Sequence, residues 1–170
     1  IFQSGNLKIA PNICYEDIMP DFIRKSLNIK NKNKEIEKAN IIINGSNDSW
    51  FGSSPASKMH MHIAIFRAIE NKRSLVRATC TGNSIICDPS GQIKHQTNNG
   101  EKVAFVEKVS LLSCDTIYNK GGWTFVYIIA LIDFIILVYQ FISRWWKKQQ
   151  LQKLLQQKRH NEKLYQTWME

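Results

Sequence analysis

One cysteine stands where a nucleophile is expected, at the boundary between an apolar stretch and the start of a helix. Residues 7–13 form a short run typical of a buried strand, and Pro20 followed by Asp21 is a favourable first helical turn. Cys14 therefore lies at a predicted strand-to-helix corner. Backbone N–H groups at such a corner favour the thiolate, which is the form that attacks a carbonyl carbon. The alternative interpretation is a buried core cysteine.

Four further motifs follow Cys14 in the chain. They are Asn-Asp-Ser-Trp-Phe-Gly at residues 47–52, Arg-Ala-Ile-Glu-Asn at residues 67–71, Thr-Gly-Asn-Ser at residues 81–84 and Asp-Pro-Ser-Gly at residues 88–91. No single motif is specific, but their order and spacing resemble the carbon-nitrogen hydrolase (nitrilase) superfamily over about residues 5–110. The segments at residues 14–16 and 47–52 are most similar to its membrane-bound branch, which N-acylates bacterial lipoproteins.

The resemblance implies an α/β fold: the C-terminal half of a nitrilase-like αββα sandwich, followed by one transmembrane helix and a basic tail. It also implies a catalytic triad of Glu, Lys and Cys, and no cofactor. Cys14 matches the nucleophile, whereas the Glu and the Lys are expected before Ile1, so this chain alone is expected to be inactive. The sequence opens in mid-pattern without an initiator Met or a signal peptide, which indicates a C-terminal fragment.

The activity that the resemblance implies is a two-step acyl transfer. A fatty acyl chain passes from a phospholipid to Cys14 as a thioester, and then to the N-terminal amine of a diacylglyceryl-cysteine lipoprotein. The implied partners are these two lipids, the membrane lipids around them and the missing N-terminal half of the same enzyme. The implied location is the bacterial inner membrane, with the catalytic domain facing the periplasm or outer side.

Two other functions stay open. The first is a membrane-anchored amidase or nitrilase that hydrolyses a small C–N substrate with water as the acceptor. The second is a catalytically dead membrane-anchored module whose sheet binds a partner. A membrane anchor argues against the first, because a small soluble substrate does not require one.

Five residues around the nucleophile are candidates for supporting roles. Glu16 either orients the incoming amine or the missing Lys, or is simply a charge at the start of a helix. The candidate substrate-binding residues are Tyr15, Asn47, Trp50 and Phe51. Apolar rings presented by a turn suit contact with acyl chains, although Trp50 and Phe51 are equally well interpreted as core aromatics.

The remaining cysteines and histidines do not form a metal motif. The cysteines lack the paired spacing of zinc ligands, and two histidines that are two residues apart cannot share one helix face. We expect His60 and His62 on the surface or lining a cleft. Cys80 and Cys87 lie in apolar strand segments and are predicted to be buried thiols. The pairing of Cys80, Cys87 and Cys114 in a disulfide stays open.

Residues 123–142 are predicted to form a transmembrane helix. Seventeen of these twenty residues are aliphatic or aromatic, and the length matches a bilayer hydrocarbon core. Asp133 at the centre costs about 2.5–3.5 kcal/mol on the insertion scale, whereas the thirteen Leu, Ile, Phe and Val residues together favour insertion by about 4–8 kcal/mol. Insertion is therefore favourable. An intramembrane acid is a functional candidate, but we favour a role for Asp133 in helix packing.

The positive charge belongs largely to a tail next to this helix. The formal net charge is +9, which on a soluble protein suggests nucleic-acid binding. Residues 143–170 contain seven Lys or Arg residues and two acids, so we expect no nucleic-acid partner. Arg144, Lys147 and Lys148 follow the apolar helix while Lys120 precedes it, which predicts a cytoplasmic C-terminus. The predicted regions are the extracytoplasmic C-terminal part of a carbon-nitrogen hydrolase domain at 1–120, a transmembrane helix at 123–142 and a basic cytoplasmic tail at 143–170.

Strands alternate with helices in the first region. Strands are predicted at residues 39–43, 75–80, 84–87, 92–95 and 103–109. A helix is predicted from Pro55 to about residue 73, with Met59, Ile63, Phe66 and Ile69 on one apolar face. This alternation predicts a layered α/β sheet domain.

Overall fold

The computed structural model describes residues 1–30, 35–52 and 54–169, with side chains up to residue 159. The chain divides into two compact units, Ile1–Gly122 and Trp123–Glu170. The first unit contains the sheet and the short helices. The second unit is a single long helix.

The first unit is built on a mixed β-sheet. In chain order its described strands are β1 (Phe2–Ser4), β2 (Leu7–Ile13), β3 (Asn28–Lys30), β4 (Ile36–Lys38), β5 (Ile41–Ser46), β6 (Ser74–Thr79), β7 (Ile85–Cys87) and β8 (Ile93–Gln96). The main sheet has the order β1-β2-β5-β6-β7-β8, and β3 pairs with β4 separately. Strands β2, β5 and β6 run parallel, while β1, β7 and β8 add antiparallel at the two edges. The predicted α/β class is therefore confirmed.

Helical segments connect the parallel strands. A 3-10 helix at Cys14–Ile18 and helix α1 (Pro20–Ser26) follow β2, and a 3-10 helix at Ser49–Phe51 and helix α2 (Ala56–Asn71) follow β5. Helix α3 (Ile117–Gly121) packs against α2. The predicted strand at residues 7–13 is confirmed, and the one predicted at residues 39–43 lies at Ile41–Ser46.

The predicted strand at residues 103–109 is wrong. Residues 101–116 contain neither helix nor strand, and Val106 is almost fully exposed. Two side chains at the start of β6 bind the chain just after the predicted strand. Ser74 Oγ donates to the Ser110 carbonyl at 2.7 Å, and Arg73 Nη1 donates to the Cys114 carbonyl at 2.8 Å. The apolar alternation of the segment therefore reflects partial burial without strand pairing.

The core lies between the sheet and the helices, and α2 does not bury the face predicted from its sequence. Met59, Phe66 and Ile69 are exposed. The inward side of α2 combines small, apolar and polar residues, namely Ser57, His60, Met61, Ala64, Ile65, Arg67, Ala68 and Asn71. The strand beneath carries the buried Arg77, which bonds His60 of α2.

The opposite face of the sheet is open to solvent at its carboxyl end. Side chains alternate between the two faces of a strand. In β2, Ala10 and Asn12 are buried whereas Pro11 and Ile13 are exposed. Gly45 and Ala78 continue the exposed row on the next two strands.

The second unit is helix α4 (Thr124–Met169). Its stretch Thr124–Arg159 is long and apolar enough to cross a membrane by length and composition, with a mean hydropathy of 2.4 over its most apolar window. The side chains of that window are not buried within the protein. The apolar segment predicted at residues 123–142 falls within this helix.

Candidate active site

The carboxyl ends of the three parallel strands meet at one edge of the sheet. Ligands of parallel sheets bind at this edge, because the connecting turns cluster there. Strand β2 leads into Cys14, β5 leads into Asn47, and β6 leads into Cys80. The topology thus brings the turn that carries Cys14 next to the turn that carries Trp50 and Phe51.

Cys14 occupies a strained backbone position at the end of β2. Its φ angle is +50°, in the left-handed region that few residues other than glycine adopt. Holding a non-glycine residue there costs about 1–3 kcal/mol and requires support from the surroundings. The residue is half-buried, and Asn44 Nδ2 donates to its carbonyl oxygen at 3.2 Å. The strand-to-helix corner predicted from the sequence is therefore confirmed, and the nucleophilic role of Cys14 stays a prediction.

Glu16 folds back onto the strand that precedes it. Its Oε2 accepts a hydrogen bond from the backbone N–H of Ile13 at 2.6 Å. A charged acceptor makes this a strong bond, and it stabilises the turn that contains Cys14. This contact agrees with a charge at a helix start, and the role of Glu16 toward an amine or a Lys stays a prediction.

Three aromatic side chains pack together at the turn after Cys14, and we call them the aromatic rim: Tyr15, Trp50 and Phe51. Tyr15 lies 5.9 Å from Trp50 and 6.1 Å from Phe51, and the rings of Trp50 and Phe51 are 5.7 Å apart, measured between ring centroids. Trp50 is 71% exposed, so its interpretation as a core aromatic is wrong. Asn47 is also exposed, and its Oδ1 accepts from the Ser49 N–H at 3.1 Å. The rim forms an apolar surface beside Cys14.

Beneath these turns lies a buried charge cluster, formed by Asp17, Asp48, His60 and Arg77. All four side chains are almost completely inaccessible to solvent. Arg77 Nη1 lies 2.6 Å from Asp17 Oδ2, and Arg77 Nη2 lies 2.9 Å from Asp48 Oδ2. His60 Nε2 lies 2.8 Å from Asp17 Oδ1. Arg77 therefore supplies the positive charge between two buried carboxylates.

The contacts of His60 define which of its nitrogens donates. Arg77 Nη2 lies 3.0 Å from His60 Nδ1, while Asp48 Oδ1 is farther away at 3.3 Å. A guanidinium can only donate, so Nδ1 accepts and Nε2 donates to Asp17. The predicted surface position is wrong for His60, because carboxylates from two other segments surround it. His62 is exposed, as predicted.

A match to a family model decides the membership of the chain. Residues 1–111 match the model described as carbon-nitrogen hydrolase. The chain belongs to the carbon-nitrogen hydrolase family.

The chain is similar to several proteins of known name. It is 36% identical over 141 residues to the apolipoprotein N-acyltransferase of Rickettsia bellii, covering 82% of this chain and 26% of the relative. It is 29% identical over 153 residues to apolipoprotein N-acyltransferase 1 of Treponema denticola, covering 89% of this chain and 27% of the relative. The chain thus spans about a quarter of the length of the curated relatives it matches. The solved carbon-nitrogen hydrolase of Helicobacter pylori G27 aligns over 58% of this chain and 39% of its own, with a TM-score of 0.47 and 15% identity.

The sequence did not predict the buried charge cluster. Its residues come from four separate segments and share no local motif. One signal is visible in hindsight: Asn12, Asn44 and Arg77 interrupt apolar strands, and they stand opposite one another in the register of β2, β5 and β6. Polar side chains at matching positions in three adjacent buried strands must bond one another, because unpaired burial is costly.

Of the two thiols predicted to be buried, Cys87 is buried and Cys80 is not. Cys80 is exposed, because it lies one residue past the end of β6, so the prediction that it is buried is wrong. Cys87 is buried as predicted, and this burial raises the pKa of its thiol to about 11. Cys114 is exposed, and all four cysteines are free. Cys87 is consequently expected to react slowly with alkylating reagents at neutral pH.

We predict that the carbon-nitrogen hydrolase domain loses stability in acid through Asp48. Burial opposes its ionisation, but a hydrogen bond from Ser46 and the positive charge of Arg77 outweigh that effect and hold the pKa of Asp48 below its ordinary value of 3.8. A carboxyl with a lowered folded-state pKa stabilises the fold above its unfolded pKa, and this contribution disappears as pH falls through the folded pKa.

Thermal melts followed by tryptophan fluorescence from neutral pH down into the acid range check this expectation. The melting temperature of the wild type should fall more steeply in acid than that of Asp48→Asn, which has no carboxyl to titrate. Parallel curves for the two proteins would contradict the assignment.

Proposed function

We propose that this chain is the C-terminal part of an apolipoprotein N-acyltransferase and that Cys14 is its nucleophile. The observation that carries the proposal is the half-buried Cys14, held at φ +50° at the carboxyl edge of the sheet beside the exposed aromatic rim. The family membership and the 36% identity to the Rickettsia bellii enzyme support the same function.

The surroundings of Cys14 favour a lipid substrate over a small amide. Trp50 is largely exposed and Tyr15, the residue after Cys14, is partly exposed, although both are large rings, and together they form an apolar surface. An acyl chain would bury this apolar surface, whereas a small polar amide would leave it exposed to water. Helix α4 would keep the domain at the membrane, where both lipid substrates are concentrated.

In the first step, the Cys14 sulfur attacks the ester carbonyl of a phospholipid. A general base takes the thiol proton, and hydrogen-bond donors or a cation stabilise the tetrahedral oxyanion. The C–O bond to the glycerol oxygen then breaks, and that oxygen takes the proton from the base. The products are an acyl thioester on Cys14 and a lysophospholipid.

In the second step, the N-terminal amine of a diacylglyceryl-cysteine lipoprotein attacks the thioester carbonyl. The base takes a proton from the amine, the C–S bond breaks, and the proton returns to the Cys14 sulfur. The base is a Glu and the cation is a Lys, and both are supplied by the sequence before Ile1. Tyr15, Asn47, Trp50 and Phe51 contact the substrates, and Glu16 holds the turn.

The part of the enzyme that precedes this chain packs against the open face of the sheet. Pro11, Ile13, Gly45 and Ala78 are exposed there, at the same edge as Cys14. A second sheet on this face would complete an αββα sandwich and would bring the Glu and the Lys toward the thiol.

The full-length polypeptide in phospholipid vesicles tests the proposed function. A synthetic diacylglyceryl lipopeptide should gain the mass of one acyl chain, and lysophospholipid should appear in equal amount. Turnover of a small amide without lipopeptide acylation would favour the amidase alternative. Failure of both reactions in a well-folded protein would favour the binding module.

We predict that residues on either side of the apolar part of α4 lie on opposite sides of the membrane. Basic residues follow the apolar stretch, which places the C-terminus in the cytoplasm and the domain outside. Ile117 is 92% exposed, so Ile117→Cys provides a thiol that a membrane-impermeant maleimide can reach.

In a background with Cys14→Ala, Cys80→Ser and Cys114→Ser, position 117 should be labelled in intact cells, and a reporter fused after Glu170 should be active only in the cytoplasm. Labelling that requires a permeabilised membrane would overturn this orientation.

A further inference from the structure

We propose that Arg77 is a positioning residue that holds the nucleophile turn and the aromatic turn in one fixed relation. The nucleophile turn is the 3-10 helix Cys14–Ile18, and the aromatic turn is the 3-10 helix Ser49–Phe51 with Asp48 before it. This inference rests on the proposed function, because it assigns Arg77 a role in the same acyl transfer.

Arg77 binds the nucleophile turn by two routes. Its Nη1 donates to Asp17 Oδ2 at 2.6 Å, and Asp17 lies three residues after Cys14 within the turn. The same nitrogen donates to Asn44 Oδ1 at 2.7 Å, and Asn44 Nδ2 donates to the Cys14 carbonyl at 3.2 Å. Arg77 thereby orients the Asn44 side chain so that the Asn44 NH₂ group faces the carbonyl of Cys14.

Arg77 binds the aromatic turn through its other terminal nitrogen. Nη2 donates to both oxygens of Asp48, at 3.2 and 2.9 Å. Ser46 and Ser57 also donate to the Asp48 carboxylate, at 2.7 and 3.2 Å. The Asp48 carbonyl accepts the N–H of Phe51 at 3.0 Å, which closes the turn that presents the aromatic rim.

His60 fills the space between the two turns. It donates to Asp17 at 2.8 Å, and its ring lies 4.9 Å from Tyr15 and 5.9 Å from Phe51. The histidine therefore touches both turns while it accepts from Arg77. A shift of Arg77 would move the support of Cys14 and the support of the rim together.

The buried charge cluster is better explained by the fixed geometry that it gives to the two turns than by any net stability that it adds to the fold. A buried ion pair contributes little net stability, because the cost of removing its charges from water offsets their attraction. The positive φ of Cys14 needs rigid surroundings. Reaction rates depend steeply on such support, since a misplacement of about 1 Å can lower a rate about 100-fold.

Isosteric variants of the full-length enzyme can distinguish the two sets of Arg77 hydrogen bonds, one to the nucleophile turn and one to the aromatic turn. Asp17→Asn weakens the Arg77 bond to the nucleophile turn, so the kcat of acyl transfer should fall with little change in the KM for phospholipid. Asp48→Asn weakens the Arg77 bonds to the aromatic turn, so the KM for phospholipid should rise. Arg77→Lys keeps the positive charge but replaces the two guanidinium NH₂ groups with a single ammonium, so it should show both defects. Its kcat/KM should fall about 100-fold.

Arg67→Lys is the matched control, because Arg67 is also buried and its guanidinium pairs with Glu70 at 3.0 Å, away from both turns. It should lower the melting temperature to a similar extent and leave kcat and KM near the wild-type values. Equal kinetic losses in Arg67→Lys and Arg77→Lys would overturn the positioning role, as would Asp17→Asn and Asp48→Asn enzymes with wild-type kinetics.

A second measurement does not depend on acyl transfer. Iodoacetamide alkylation of Cys14 is followed by peptide mass spectrometry, with the exposed Cys114 as an internal reference in the same sample. The ratio of the Cys14 rate to the Cys114 rate should change severalfold in Asp17→Asn and Arg77→Lys but not in Arg67→Lys. If the wild type lacks acyl transfer but this ratio still changes, the proposed function fails and the positioning of Cys14 stands. An unchanged ratio in every variant would overturn the positioning.

Discussion

Replacing Cys14 with alanine in the full-length enzyme is expected to abolish acyl transfer. A methyl group has no lone pair to attack the phospholipid carbonyl, so no thioester forms. Intact-mass spectrometry after incubation with phospholipid should show one added acyl chain on the wild type and none on Cys14→Ala. Lipopeptide acylation should fall to background in the same samples.

Cys114→Ala is the appropriate comparison, because it removes an exposed free thiol outside the carboxyl edge of the sheet. It should keep both the acyl adduct and the transfer. Hydroxylamine, which cleaves thioesters, should remove the adduct from the wild type. An adduct that persists in Cys14→Ala would refute the assignment of the nucleophile.

The largest loss of stability is expected from Arg77→Met. Methionine removes the single guanidinium between Asp17 and Asp48 and leaves two buried carboxylates without their cation. Breaking a buried ion pair from one side costs about 3–5 kcal/mol, which is a large part of the stability of an ordinary domain. Hydrogen exchange of peptides from β2, β5 and β6 should therefore become much faster in this variant.

Arg24→Met tests whether the burial of Arg77 causes this effect. Arg24 also binds an aspartate, Asp21 at 2.6 Å, but both side chains of that pair are partly exposed. Exposed ion pairs contribute little, because water already solvates both charges. Exchange rates in Arg24→Met should stay near those of the wild type. Similar acceleration in the two variants would contradict the importance of burial.

The sequence was sufficient for features that depend on neighbouring residues. The apolar run before Cys14 and the Pro20 turn after it predicted both β2 and the corner, because strand pattern and helix-start chemistry are local. The Arg67–Glu70 ion pair likewise follows from helix spacing. The ordered motifs predicted the family, which the match over residues 1–111 confirms.

Features that depend on distant partners could not be predicted in this way. Apolar periodicity assigned Met59 and Phe66 to the core, yet the helix turns His60 inward, where its Nδ1 accepts from Arg77. Asp17 and His60 are 43 residues apart, and no local pattern joins them. Their contact arises only when the parallel strands bring the following turns to one edge of the sheet.

The backbone of Cys14 also has a consequence for how this sequence can evolve. At φ +50°, glycine fits without the steric cost that a β-carbon incurs. If folding alone were selected, position 14 would drift toward glycine and the protein would gain stability while losing its thiol. Under the proposed function, a thiol is required at a backbone position where glycine would be the more stable residue, so activity and stability make opposite demands on position 14.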